Sequence, residues 1–394
     1  MPRTRVLQLI TRMIVGGAQE QVLATAEKLD PTRFEQQLWT GPQTGSEGSL
    51  LETARSRGVH LRIIPDLVRE IDPWRDARVT LELARLMRAE RFDLVNTHSS
   101  KAGIVGRVAA RLAGVPAVVH TVHGWGFHEH MSGRTRATYI LLERMLARWT
   151  HRLISVSERT THIGLDARIG RREQYILIRS GVPLDRFGPD PAVRGRVRRD
   201  FGWAEDDVVV GSVGRLSAQK NPRDFVRLAQ RILPEHGRAR FLYVGDGPLR
   251  AETEAAVAAA GLRDRVILAG LRTDVPDLLR AMDVFVLTSL WEGLPRVVPQ
   301  ALATGLPVVA YDAAGLREVV AEGRGGFTVP VLDLESLGER VSALLRDDAL
   351  RREAGRQAVS RLDAFSEETM LRQLGALYSE LSASTRAPRD AATP

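Results

Sequence analysis

The stretch "DVFVLTSLWEGLPRVVPQALATGLPVVA", residues 283–310, decides how this chain folds. An apolar, β-branched run at 284–287 gives way to a loop with a lone acid, Glu292, beside Gly293 and Leu294. Pro295 suits the first turn of a helix, where a missing backbone N–H costs nothing. A second apolar run follows at 308–310. Strand, loop, helix, strand is the repeating unit of a parallel sheet, whose strands need a crossover between them. Open sheets of that kind take ligands beyond the C-terminal ends of their strands, where Glu292 stands. Gln300 comes eight positions after Glu292, near two helical repeats, which places both on one helix face. An acid and an amide so placed suit a polyhydroxylated ligand.

The same alternation runs outward in both directions. The pattern predicts strands at 5–10, 35–40, 61–64, 94–98, 117–122, 153–156 and 175–178, with helices at 18–29, 77–88, 102–112 and 134–149. It predicts further strands at 208–213, 240–244, 265–269, 284–287, 308–310 and 326–329. Between the two sets, "RSGVPLDRFGPDP" (179–191) holds two glycines and three prolines and reads as a linker. The expected class is α/β: two Rossmann-like, doubly wound parallel-sheet domains, 1–180 and 181–365, facing each other across a cleft. Residues 366–381 read as a helix capped by Ser366, with Glu367 and Glu368 in its first turn. Residues 382–394 lack periodicity and read as a disordered tail.

Bulk properties bound the function. A chain of 394 residues exceeds one ordinary core and fits two domains of roughly 150–200 residues. The absence of cysteine excludes disulfides and thiolate metal sites. No run reaches the roughly 18 apolar residues of a membrane span, and "MPRTRVLQLI" holds no secretory h-region. The expectation is a cytoplasmic protein, soluble or peripheral on the inner membrane face. A net charge of +8 suits phosphate ligands without choosing among them.

Several strand ends carry candidate chemistry. Gly16 and Gly17, in "VGGAQE", join the first strand to a helix, where bare backbone and a helix N-terminus favour phosphate. In "VGRLSAQKNP" (213–222), Gly214 ends a strand, Arg215 and Lys220 follow, and Asn221-Pro222 opens a helix. A guanidinium fork and an ammonium at such a place can clamp a pyrophosphate. Gly245 in "YVGDGPLR", and Leu271 and Arg272 in "AGLRTDVPDLL", offer backbone groups to a nucleobase. The loop amides of Gly293, Leu294 and Pro295's neighbours could hold a phosphate or a sugar hydroxyl.

Five of the nine histidines fall between residues 96 and 130: His98, His120, His123, His128 and His130. His123 ends a strand and is expected to bond substrate oxygens or a donor phosphate. His98, Lys101 and His128 are acceptor-side candidates, Lys101 for an anionic acceptor; His98 and His120 read equally well as satisfied core histidines. His123, His128 and His130 lack helical i, i+4 spacing and a companion carboxylate pattern, so no metal is expected. Along 134–152, Arg144, Arg148 and Arg152 recur every four residues beside an apolar stripe of Leu142, Met145, Leu146 and Trp149. That is a core helix with a solvated face, or a face that meets anionic lipid head groups.

In their order and spacing, "GGAQE", "SGVPLDRF", "GRLSAQKN", "VGDGP" and the opening stretch resemble the family 4 glycosyltransferases, retaining enzymes of the GT-B fold that use nucleotide sugars. "HSSKAG" and "HTVHGWGFH" resemble the branch that builds bacterial capsule, exopolysaccharide or lipid-linked glycans. The resemblance implies an acceptor-side first domain, completed by the C-terminal helix, and a second domain that binds the nucleotide sugar, with UDP the expected nucleotide. It implies that Gly17 approaches the donor diphosphate, that Arg215 and Lys220 bind it and stabilise the leaving group, and that Glu292 holds the donor sugar. It places Gln300 at the ribose and His123 beside the transferred sugar. The catalytic set is then Glu292, His123, Arg215 and Lys220. The family pattern is Glu, seven residues, Glu; Gln300 keeps the hydrogen bonding without the charge. No cofactor or metal is implied. The implied partners are a nucleoside diphosphate sugar, a sugar or lipid-linked acceptor, and an anionic membrane surface at 134–152. Two other readings stand beside this one: a nucleotide-sugar 2-epimerase of the same fold, and a basic nucleic-acid binder. The last needs interleaved aromatics, and aromatics are 5% of the chain.

Overall fold

A computed structural model describes residues 3–43, 47–129, 131–313, 315–322, 325–359 and 362–390. The chain divides into two compact units, Met1–Gly181 with Glu367–Pro394, and Val182–Ser366.

The first unit is built on seven strands, β1 (Thr4–Ile10), β2 (Phe34–Thr40), β3 (Leu61–Ile63), β4 (Leu94–His98), β5 (Ala117–Val122), β6 (Arg152–Ser155) and β7 (Tyr175–Leu177), in the order β3-β2-β1-β4-β5-β6-β7. Every pairing is parallel. Helices cover both faces, so the central strands are buried along almost their whole length, polar residues such as Gln8, Asn96 and His98 included. Successive residues of β1 point to opposite faces. Leu7 and Leu9 meet Val79, Leu83 and Met87 of the helix Pro73–Glu90 and Ala102, Val105 and Ala109 of the helix Ser100–Ala113. On the other side Val6 joins Leu94, Ala117 and Val119 against Met370, Leu374, Leu377, Tyr378 and Leu381.

Those last residues belong to the helix Glu367–Asp390, which opens with Glu367 and Glu368 in its first turn. Their spacing is that of one helical face. At about 2 kcal/mol for each large apolar side chain removed from water, the stripe anchors the helix to the first sheet. The helix runs past residue 381, where the sequence pattern ends it, to Asp390; residues 391–394 lie outside the described residues.

The second unit repeats the plan. Its strands are β8 (Val208–Val213), β9 (Ala239–Val244), β10 (Val266–Leu268), β11 (Val284–Leu287), β12 (Val308–Tyr311), β13 (Ala321–Glu322) and β14 (Gly325–Val329), ordered β10-β9-β8-β11-β12-β14-β13. β13 was not among the predicted strands; two residues at a sheet edge leave no period to read. Phe225, Leu228 and Ile232 of the helix Pro222–Ile232 and Leu337, Val341 and Leu344 of the helix Leu334–Arg346 pack with Val210, Phe241 and Val286 in its core. Pro191, the last residue of the expected linker, opens the helix Pro191–Asp200, whose first amides at Ala192 and Val193 are capped by Asp190 Oδ1 at 3.0 Å.

Candidate active site

Over their first five strands both sheets share one order, and in each it reverses beside the first strand: between β1 and β4, and between β8 and β11. Ligand crevices of doubly wound sheets form there.

In the second unit the loops beyond β8 and β11 are stitched together. Asn221, in the left-handed conformation at φ 48°, lets the chain turn into the helix that Pro222 opens. The Thr288 hydroxyl, just past β11, donates to the carbonyls of Lys220 and Asn221 at 3.0 Å each. The Leu290 amide donates to the Gln219 carbonyl at 2.8 Å, and Gln219 Nε2 to the Trp291 carbonyl at 2.9 Å. These bonds bring Lys220 Nζ to 2.5 Å from Glu292 Oε1, with Gln219 Nε2 at 3.4 Å from Oε2. The side chains of Lys220 and Glu292 are 16% and 8% exposed, so their attraction is screened far less than a surface pair's. Burial, and then the Glu292 charge, push the Tyr243 phenol upward, so Tyr243 stays protonated beneath this loop.

Gly245 and Gly247 stand where a side chain would not fit. Gly245, at φ 139°, donates its amide to the Gly270 carbonyl at 2.8 Å, and a Cβ on it would stand 2.0 Å from the Gly214 carbonyl oxygen. Gly247 leaves room for the Arg215 stem, which would lie 2.8 Å from an added Cβ. Gly245 thus lets the ends of β8 and β9 close up backbone to backbone beside Arg215 and Lys220, whereas a Cβ on Gly214 or Gly270 would meet only side-chain atoms, at 3.4 Å and 3.5 Å. Leu271 is exposed, and the Arg272 guanidinium grips Asp274 at 2.6 and 2.8 Å.

One expectation is corrected here. The helix begins at Val297, not at Pro295, whose carbonyl accepts the Val298 amide in a turn. Glu292 and the buried Gly293 and Leu294 lie in the loop before it, so no helical period links Glu292 to Gln300 and the two do not share a helix face. Gln300 is buried within the helix Val297–Ala303.

In the first unit, Gly16 is the extended N-cap of the helix Gly17–Lys28, which follows β1. Beyond β4, Ser99 takes φ 63°, held by a 2.7 Å bond between its hydroxyl and that of Thr11 beyond β1. His98 Nδ1 lies 3.0 Å from His123 Nε2, the rings stacked with centroids 5.2 Å apart, and His98 Nε2 lies 2.9 Å from Gln8 Oε1. Burial first, and then His123, lower the His98 pKa well below its ordinary value. His120 is lowered by burial and then by Arg107; its Nδ1 meets Thr97 Oγ1 at 2.9 Å and the Thr97 carbonyl at 3.0 Å. Lys101 does not stand free for an anion: Nζ donates to the Glu70 carbonyl at 2.8 Å and pairs with Asp76. His128 falls in the loop after β5, and His130 lies outside the described residues.

The stripe expected along 134–152 is redistributed. In the helix Gly133–Ala147, Leu146 and Ala147 are buried, while Leu141 and Met145 are 57% and 46% exposed and the following Trp149 39%. Glu143 points inward to Arg107, Oε2 to Nη2 at 2.7 Å, with the arginine fully buried.

The structure therefore brings together Lys220 with Glu292, and His98 with His123. Gln219, Thr288 and Gln8 escaped the sequence reading. Gln8 left a signal, a lone amide in the middle of the apolar strand "TRVLQLI".

Comparison with known proteins gives the family and the fold. The family described as glycosyl transferases group 1 matches residues 193–361, and the glycosyl transferase 4-like domain matches residues 16–181. The chain is 34% identical over 336 residues to UDP-Gal:alpha-D-GlcNAc-diphosphoundecaprenol alpha-1,3-galactosyltransferase of Escherichia coli, spanning 84% of this chain and 85% of that enzyme. It is 31% identical over 351 residues to 2-deoxystreptamine glucosyltransferase of Streptomyces kanamyceticus, spanning 84% and 90%. The fold matches that of Anabaena HepE, solved in complex with UDP-glucose, with a TM-score of 0.83 at 22% identity over 96% of this chain and 100% of that one. Of the activities left open by the sequence, transfer is the one these relatives carry. With two parallel-sheet units of the GT-B kind and both family matches in place, this chain belongs to the family 4 glycosyltransferases and is itself a glycosyltransferase.

Proposed function

We propose that the enzyme moves a hexose, with retention, from a UDP-sugar to a sugar or lipid-linked acceptor in the synthesis of a bacterial glycan. The observation that carries this reading is the Lys220–Glu292 pair at the reversal point of the second sheet, with Arg215 on the same loop. Cleaving a sugar–phosphate bond needs positive charge fixed where the nucleoside diphosphate departs. Arg215 and Lys220 supply it, and the reading asks for no metal. Glu292 then accepts from hydroxyls of the donor sugar, Gln300 serves the ribose, Gly17 the diphosphate, and His123 the transferred sugar. The nucleotide is inferred from the UDP-Gal in the E. coli relative's name and the UDP-glucose bound to HepE; the lipid-linked acceptor is inferred from the same E. coli relative.

Peripheral docking on an anionic membrane at the cytoplasmic side fits a lipid-linked acceptor. Exposed Leu141, Met145 and Trp149 stand among exposed Arg134, Arg144 and Arg148, and the acid of that helix, Glu143, is buried in its pair with Arg107. Among the described residues no helix is long and apolar enough to cross a membrane.

Incubation with a panel of UDP-, GDP- and ADP-sugars and an undecaprenyl diphosphate sugar tests the reading by release of nucleotide. UDP release that is dependent on acceptor and unchanged by EDTA supports it. Turnover of GDP- or ADP-sugars alone, or conversion of the donor without any acceptor, overturns it.

A further inference from the structure

Two adjacent strands carry polar side chains into an apolar layer of the first unit. Gln8 of β1 and Asn96 and His98 of β4 are all buried. They face Tyr378 of the C-terminal helix, which is wholly buried too. A buried polar group is tolerated only when paired, and these pair with one another in a fixed sequence. Thr121 Oγ1 donates to Asn96 Oδ1 at 3.0 Å, which turns Asn96 Nδ2 towards the Tyr378 oxygen at 2.8 Å. Gln8 Nε2 donates to the same phenol oxygen at 3.3 Å and to Gln36 Oε1 at 3.0 Å. With its nitrogen side towards the Tyr378 phenol oxygen and Gln36 Oε1, the Gln8 amide presents Oε1 to His98 Nε2 at 2.9 Å.

A neutral imidazole has one N–H and one lone pair. With Gln8 Oε1 able only to accept, His98 must hold its proton on Nε2. Its Nδ1 is then a lone pair, and His123 must donate to it from Nε2 across 3.0 Å.

We propose that Tyr378, Gln8 and His98 form a positioning chain that sets the ring orientation and the tautomer of His123, holding its proton on Nε2. The importance of this for turnover rests on the role proposed above for His123 beside the transferred sugar. Gln8, His98 and Tyr378 are buried, and in this proposal they act through His123, with His98 a positioning residue and not an acceptor contact. Packing gives no reason for such a chain, because the surrounding cluster is aliphatic and aromatic and Leu and Phe would fill the same space.

The test is imidazole ¹⁵N NMR on histidine-labelled whole protein, with kinetics beside it. In the wild-type protein both His98 and His123 are expected as single Nε2–H tautomers near pH 7.5. His98→Leu removes the acceptor, and the His123 signals should move to a tautomer mixture. His98→Asn keeps an oxygen near the former Nδ1 and should restore the single tautomer. Tyr378→Phe should give an intermediate mixture, because Gln8 loses one of its two anchors. Turnover follows: kcat falls in His98→Leu by about 10–100-fold, the size seen when an orienting partner of a functional histidine is lost, with KM for the donor unchanged and partial recovery in His98→Asn. A wild-type His123 protonated on Nδ1 overturns the proposal without any variant. So does a His123 tautomer that ignores His98→Leu and Tyr378→Phe. If instead the tautomers respond as expected but His123→Asn keeps full turnover, the chain stands and the role of His123 at the sugar fails.

Discussion

Lys220 and Glu292 come from the loops after two neighbouring strands, β8 and β11, and their charged ends meet at 2.5 Å where the strand order of that sheet reverses. The ammonium is thereby held in place by its own carboxylate before any phosphate arrives. Lys220→Ala is expected to lower kcat by about 100–1000-fold, the usual cost of one charge-stabilising donor, and to shrink the thermal shift given by UDP. Glu292→Gln should raise KM for the UDP-sugar while UDP alone still stabilises. Steady-state kinetics and thermal shift separate the two; a Lys220→Ala enzyme with full turnover removes Lys220 from the mechanism.

Arg107 and Glu143 make a different kind of pair, sealed between the helices Ser100–Ala113 and Gly133–Ala147. Arg107→Met alone strands a buried carboxylate and should cost about 3–5 kcal/mol in urea unfolding. Arg107→Met with Glu143→Leu should recover most of that. A single variant as stable as the parent would mean that the pair is wet or already open.

His98 and His120 are buried with pKa values well below their ordinary 6.5. The unfolded chain therefore takes up protons near pH 6.5 that the folded chain refuses. The stability they protect is fully present above the unfolded value and is lost as pH falls below it towards the folded values. Each should contribute a slope of about 1.4 kcal/mol per pH unit. Urea unfolding at pH 7.5, 6.5 and 5.5 reads this in a window above most carboxylate titrations, and His120→Asn should flatten it. A stability independent of pH across that window would contradict the burial of both rings.

Gly245→Ala should be severe and Gly58→Ala mild. Both have positive φ, but a Cβ on Gly245 would lie 2.0 Å from the Gly214 carbonyl oxygen, whereas one on Gly58 meets open space. The Gly58 change should cost about 1 kcal/mol for left-handed backbone alone. The Gly245 change must move the loop bearing Arg215 and Lys220, so it should lower UDP binding as well as stability. Equal effects of the two substitutions would deny the close approach of the strand ends.

Much of the frame could be read from the sequence because buried parallel strands announce themselves. The runs at 94–98, 117–122, 208–213 and 284–287 match the strands at both ends, since each is a short segment with a β-branched or apolar start set off by turn-forming or helical sequence on either side. Local motifs likewise placed Arg215, Lys220 and Glu292 at strand ends. Where the reading failed, a tertiary partner or a competing turn was responsible. Pro295 can open a helix, but here it closes a turn that delays the helix to Val297. The helix Gly133–Ala147 is apolar almost all round from Ile140 to Leu146, so its period could not name the inward face; the buried Arg107 decides it by drawing in Glu143. The bond between Gln8 and Tyr378 spans 370 positions, and no local pattern reports it.

That long span has a consequence for biosynthesis. The chain leaves the first unit at Gly181 and returns at Glu367, with the Val182 amide donating to the Phe365 carbonyl at 2.8 Å where the two passages run side by side. A nascent polypeptide emerging from the ribosome can thus complete its second unit while the first still lacks a helix. Until Tyr378 arrives, Gln8 and Asn96 have lost a shared acceptor and Val6, Leu94 and Val119 have no cover. The half that is translated first is the half that matures last.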